Sequence, residues 1–165
     1  MKAAPYTALS HEEEPPTVIA ALGPKMLELA SEMTPGAHPY FTSPEHTVMA
    51  REKLGKDSWL CVEQKVILEK DPTKAREAAK QTAAIYKGLP NYRNNWIRMG
   101  LAEEDIDSLN DKFIDTTFAW GTEAAISERI SAHFDAGADH VCIQPVNPNG
   151  QMTGLDWDCL EALSN

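Results

Sequence analysis

The sequence predicts an α/β fold, a parallel β-sheet with its helices outside. Three observations carry this. Short apolar or β-branched runs alternate with stretches of helical periodicity along most of the chain. Two segments echo each other: "PGAHPYF" (35–41) and "AGADHVCI" (136–143) both leave a helix through Gly-Ala and a polar residue into an apolar strand. The glycine suits the left-handed turn that ends a helix, and so short a loop delivers the next parallel strand. Finally, four such units fit into 165 residues, half the strands of a (β/α)8 barrel of roughly 250 residues. From these patterns alone, four strands make either a small open sheet or half a barrel.

Each element has a local reason. Residues 1–16 carry three consecutive glutamates and three prolines, which reads as an extended lead-in. The first strand spans about Thr17–Leu22. The helix that follows, about Pro24–Met33, opens on a proline whose missing N–H costs nothing in the first turn. The second strand covers about Ala37–Phe41. Ser43 as N-cap, Pro44 at N1 and Glu45 in the first turn then start a helix to about Leu54. The third strand is Trp59–Leu68. Asp71 caps the next helix with Pro72 at N1, and Ala75, Ala78, Ala79, Thr82 and Tyr86 share one face. The segment 89–121 is longer than an ordinary connection and is expected to hold two short helices, about Tyr92–Met99 and Asp111–Ala119. Thr122 caps a helix whose stripe is Ala125, Ile126, Arg129, Ile130 and His133. The fourth strand is His140–Val146, and residues 151–165 form a tail with a final helix. The folded unit is thus expected over 17–150.

Composition narrows the function classes. A formal net charge of −10 opposes general nucleic-acid binding, although backbone N–H groups and a few cations can still hold an anion locally. Cys61, Cys142 and Cys159 are too few and scattered for a disulfide framework or a zinc cluster. Cys61 and Cys142 fall inside strands and are expected as buried, reduced thiols, in keeping with a reducing cytoplasm. No apolar run reaches the roughly 18 residues of a membrane helix. His46, His133 and His140 lack ligand spacing, so no metal is assigned, and no Ser-His-Asp or Cys-His arrangement can be argued.

The candidate site lies at the C-terminal ends of the strands. The turn Ala21-Leu22-Gly23-Pro24 joins the first strand to a helix N-terminus, where a glycine lets a ligand approach the backbone and free N–H groups favour an anion. The same turn is equally a compact corner. Thr42 and Ser43 offer hydroxyls at the next turn, where Ser43 also serves as a cap. His38 reads as a packed strand residue. Glu63 and Gln64 face either the interior or solvent. Arg93, in the amide-rich "NYRNN", can hold a carboxylate or phosphate through two parallel bonds or sit at the surface. Gln144 ends the fourth strand at the same mouth.

Four segments, "ALGPKMLELA", "GAHPYFTSPEHT", "LPNYRNN" and "DAGADHVCIQ", together resemble the luciferase-like monooxygenase family, closest to its members that use the deazaflavin coenzyme F420. The resemblance covers about Thr17–Val146. It implies half of a (β/α)8 TIM barrel, strands five to eight with their helices in a parallel sheet. It implies part of an oxidoreductase that moves hydride between F420 and an organic substrate, with an FMN-dependent monooxygenase as the alternative cofactor reading and a non-catalytic half-barrel as the alternative of another class. In such relatives the cofactor's phosphate tail lies near the turns that correspond to Ala21, Leu22, Gly23, Pro24, Thr42 and Ser43, which implies cofactor binding there; Arg93 and Gln144 are the substrate-side candidates. The strands that contact the deazaflavin ring in the family lie outside these segments. The isolated chain is therefore expected to be inactive and to associate, either with itself or with a missing N-terminal half-barrel. The inner face is expected to include Val18, Ala20, Val66 and Cys142.

Overall fold

The nine-residue strand β3 (Trp59–Ile67) organises the sheet in the computed structural model, which describes residues 15–149 and 154–164. Before it come β1 (Val18–Ala20), α1 (Pro24–Met33), β2 (Gly36–His38) and α2 (Pro44–Leu54). After it come α3 (Pro72–Tyr86), a helical excursion of α4 (Pro90–Arg98), α5 (Glu103–Ser108) and α6 (Asp111–Thr117), then β4 (Phe118–Trp120), α7 (Glu123–Asp135), β5 (His140–Pro145) and α8 (Trp157–Ala162). Most of the lead-in, and residues 150–153 of the tail, lie outside the described residues.

All strand pairings are parallel. This is the α/β sheet that the alternation predicts, and it is not closed: β1 and β5 are edges among the described residues. Five strands are present where four were expected. The additional one, β4, takes the place of the last turn of the expected helix Asp111–Ala119. The cause is tertiary. On one edge of β3, Trp59 and Glu63 donate to Pro35 and Pro39 beside β2. Because β2 ends at His38, that edge is vacant higher up. There β4 pairs with Lys65–Ile67, and Gly121 N–H closes on Ile67 O. The opposite edge belongs to β5.

The parity of β3 separates two faces. Leu60 and Val62 pack against α1 and α2 residues such as Leu27, Ala30, Ala50 and Leu54. Val66 packs with Ala119, Ile126 and Cys159. Val66 therefore faces the helices, not the inner face where the sequence reading put it. Cys61, Glu63 and Lys65 take the inner face. Register with β5 aligns Glu63 with Cys142 and Lys65 with Gln144. On β5, His140, Cys142 and Gln144 are exposed, whereas Val141 and Ile143 are half-buried. The expectation of two buried strand thiols is overturned: Cys142 is exposed and Cys61 is half-buried. Both stand on a face that no second layer covers among the described residues.

Local signals set most helix starts. Asp71 accepts from Thr73 and Lys74 N–H, Thr122 accepts from Ala125 N–H, and Pro44 and Pro72 open their helices. A second core sits beyond the C-terminal end of β3, where α3 to α6 enclose Phe41, Trp96, Phe113 and Phe118. The Phe41 ring meets Trp96 and Phe118 edge-on at 5.1 Å each, a favoured aromatic geometry.

Candidate functional site at the strand C-termini

The β1–α1 turn is held from outside. Gly23 is the N-cap of α1 in extended conformation, without a side-chain cap, and the first turn carries no acidic residue. The positive end of this helix is therefore uncompensated by its own side chains. A Cβ on Gly23 would lie 3.4 Å from Arg98 Nη2. Ala21, Leu22, Gly23, His38, Tyr40 and Arg98 line an open cleft of about 340 Å³.

The β2–α2 turn is strained and buried. Phe41 has φ 61°, uncommon for a bulky residue. Its N–H donates to Glu63 Oε2 at 2.8 Å, and its carbonyl accepts from Trp96 Nε1 at 3.1 Å. Thr42 and Ser43 follow, at 0% and 1% exposure; the Thr42 hydroxyl has no hydrogen-bond partner among the described residues, and that of Ser43 is drawn to Glu45. Ser43 holds the N-cap position as expected, but its Oγ does not close the cap. It lies against Glu45 and helps to hold that carboxyl below its usual range. One turn on, His46 Nε2 donates to Leu22 O at 2.9 Å, which ties the two βα turns together. His46 Nδ1 is buried without a partner. Burial pushes this imidazole's pKa down, so the ring is neutral.

Between these turns and β5 lies a group that the sequence reading missed. Lys65 is fully buried. Its Nζ donates to Glu63 Oε1 at 3.0 Å and to Gln144 Oε1 at 2.8 Å, and stands 3.9 Å from the centre of the Tyr40 ring. Tyr40 Oη donates to Gln144 Oε1 at 2.7 Å and meets Tyr86 Oη at 3.1 Å. Desolvation lowers the Lys65 pKa against the raising effect of Glu63, and desolvation also raises the Tyr40 phenol. A signal was present: Glu63 and Lys65 are two apart on a strand, so they share one face.

The other candidates separate. Gln144 sits at this network. Arg93 donates to Asp107 at 2.7 Å and to Glu103 at 2.6 Å, and so pins α4 to α5. Arg98, five residues further along α4, is the guanidinium beside Gly23. Helical phase places these two arginines about 140° apart, but which face meets the turns depends on how Trp96 packs. Gln64 turns the other way: its Oε1 accepts from His133 Nε2 at 2.9 Å, and its amide donates to Lys65 O and Thr117 O. Among the described residues, no group of three or more His, Cys, Asp or Glu side chains converges as for a metal. None of the described helices is long and apolar enough to cross a membrane.

Comparison with known proteins adds the following. Residues 2–140 match the luciferase-like monooxygenase family model. No curated protein matches the sequence. Among solved structures, the chain resembles the coenzyme F420-dependent tetrahydromethanopterin reductase from Methanopyrus kandleri. That match has 18% identity and a TM-score of 0.64, over 91% of this chain and 49% of the reductase. It also resembles an F420-dependent secondary alcohol dehydrogenase in complex with an F420–acetone adduct, at 15% identity and a TM-score of 0.60, over 83% of this chain and 45% of the dehydrogenase. The chain thus spans about half the length of either structure. At such identities the likeness is one of fold.

Proposed function

The chain belongs to the luciferase-like monooxygenase family, and from that premise we propose that it supplies the phosphate-tail side of a deazaflavin site in an F420-dependent oxidoreductase barrel. The observation that carries this is the pairing of the β1–α1 and β2–α2 turns. They are joined by His46, they lie at two helix N-termini, and they hold a buried hydroxyl, that of Thr42, with no partner among the described residues. Native proteins rarely leave such a group unpaired, so the Thr42 hydroxyl fits the anionic tail of a cofactor, with Ser43, drawn to Glu45, beside it. Both solved structures compared above are of F420-dependent enzymes, which favours the deazaflavin over FMN.

When bound, the deazaflavin supplies the hydride donor or acceptor, and the protein's part is placement. Gly23 leaves room at the mouth of the first turn. Glu63 fixes Phe41 and so the direction of Thr42 and Ser43. Lys65, Tyr40 and Gln144 present a polar, aromatic wall at the mouth of β2, β3 and β5.

The reading includes a complement. The inner face carries exposed His140, Cys142 and Gln144, and among the described residues β1 and β5 are edges with unpaired backbone groups, a surface that favours pairing with further strands. In this proposal a second half-barrel, or a second copy of the chain, completes the barrel, and hydride transfer needs that closure. Fluorescence titration of the full chain with F420 tests the tail site. Gly23→Val, which drives two methyl groups toward Arg98 Nη2, is expected to weaken binding about tenfold or more. Equal affinity of a folded variant and the wild type removes the cradle and leaves a plain corner.

A further inference from the structure

We infer that the cleft between the first turns of α1 and α2 selects an anion that also carries an O–H donor, with Arg98 as its cation and His46 Nδ1 as the acceptor of that O–H. This rests on the proposed tail site and sharpens it to a ligand chemistry: a monohydrogen phosphate, or a phosphate ester flanked by a hydroxyl.

The cation is identified by elimination among the five arginines. Arg51 pairs with Asp139, Arg76 with Asp111 and Asp115, and Arg93 with Glu103 and Asp107. Arg129 donates to the carbonyls of Asp115 and Thr116. Arg98 and Arg129 make no ion pair among the described residues, but Arg129 is committed to two carbonyls, whereas the one contact of Arg98 is Nη2 to Asn95 Oδ1 at 3.3 Å. The side chain is exposed, and it borders both the cleft at Gly23 and a second cleft of about 390 Å³. Pro24 from the start of α1 and Glu45 and His46 from the first turn of α2 line that second cleft, with Lys53. Lys53 is drawn to Glu28 at 3.4 Å, so Arg98 is the uncommitted positive charge. Glu45 is the one carboxylate on the wall, and it makes a fully acceptor-type anion less welcome.

His46 supplies the selectivity. A carbonyl can only accept, so the 2.9 Å contact with Leu22 O puts the proton on Nε2 and leaves a lone pair on Nδ1. The residue is 2% exposed, and Nδ1 has no partner. Asn95, the nearby amide, is engaged with Met99 Sδ and with Arg98. A lone pair held in this cleft repels a sulfate-like oxygen and welcomes a hydroxyl. A phosphate with one proton meets both demands: its charged oxygens take the guanidinium and the helix ends, and its P–OH donates to Nδ1.

The test is an amide and imidazole NMR titration of the full chain at pH 7, with inorganic phosphate and with sulfate at matched ionic strength. Phosphate is expected to shift the amides of Gly23 and Lys25 and of Glu45 and His46, together with His46 Nδ1, and to bind about tenfold or more tighter than sulfate. Arg98→Gln, at an exposed position, is expected to weaken phosphate about tenfold while the spectrum stays dispersed; Arg93→Gln is expected to change nothing. Equal binding of sulfate and phosphate overturns the inference. So does an unchanged affinity in Arg98→Gln, or an equal loss in Arg93→Gln. F420 separates this inference from the function it rests on. Arg98-dependent phosphate binding without any F420-induced shift sinks the deazaflavin reading alone. F420 binding that is indifferent to Arg98→Gln sinks this inference alone.

Discussion

Replacing Lys65 by methionine removes an ammonium from a fully dry position while keeping a chain of similar length. Lys65 is 0% exposed and Glu63 2%. Loss of the ammonium leaves Glu63 with Phe41 N–H as its remaining hydrogen bond and takes away the contact at Lys65 Nζ. Breaking one side of a buried ion pair costs about 3–5 kcal/mol, because the other charge stays behind unpaired. That is a large part of the roughly 5–15 kcal/mol that holds an ordinary domain. The Phe41 N–H donor continues to favour an ionised Glu63, so neutralising the carboxylate relieves only part of the cost. Glu63→Gln combined with Lys65→Met removes both charges together. The pair is then expected to regain at least about 2 kcal/mol over Lys65→Met alone, a coupling that contacting residues show and distant ones do not. Urea unfolding by circular dichroism measures this, with an unchanged denaturant slope as the check that the comparison is valid. A loss below about 1 kcal/mol in Lys65→Met, or a double variant no more stable than that single one, refutes the reasoning. Either outcome would mean that water reaches the pair and screens it.

Three further expectations follow from other parts of the structure. His133 is held neutral by Thr47 Oγ1 at Nδ1 and Gln64 Oε1 at Nε2, and burial, followed by the charge of Arg129, pushes its pKa from 6.5 down to about 4. Between those values the unfolded chain binds a proton that the folded one refuses, so stability falls as pH drops from about 6.5 to about 4, by on the order of 3 kcal/mol. Imidazole NMR checks it directly, and a ring that titrates near 6.5 in the folded state contradicts it. Gly36→Ala places a methyl group 2.1 Å from the Trp59 carbonyl and must push β2 off β3; a loss of about 3 kcal/mol is expected, and thermal unfolding that moves by less than a degree would show that the strands separate freely. In dilute native protein a thiol reagent is expected to label Cys142 rapidly and Cys159 slowly, since Cys159 is buried and its thiol pushed up to about 11 by desolvation; slow labelling of Cys142 at every protein concentration would contradict an open inner face.

The amino-acid sequence by itself determined where helices begin, because those signals act over three or four residues. Pro24, Pro44 and Pro72 each open a helix, and Asp71 and Thr122 cap theirs as their chemistry demands. The parallel α/β architecture and family membership were legible in the same way, from repeated Gly-Ala turns and ordered motifs. Tertiary structure alone decided what depends on a distant neighbour. Phe118–Trp120 became a strand because β2 stops short and leaves donors on β3 unpaired. Val66 turned to the helices because the pairing register, not the alternation of residues, chooses which face is which. Cys142 is exposed because, among the described residues, nothing lies over its side of the sheet. Lys65 is buried because Glu63 on its own strand, Gln144 near the end of β5 and Tyr40 just past β2 converge on it. Whether Arg93 or Arg98 meets the β1–α1 turn was settled by the packing of Trp96 beneath α4, a contact of 55 residues' separation with Phe41. Capping and turn chemistry are written within one turn of chain; facing, burial and charge pairing exist only once remote segments have met.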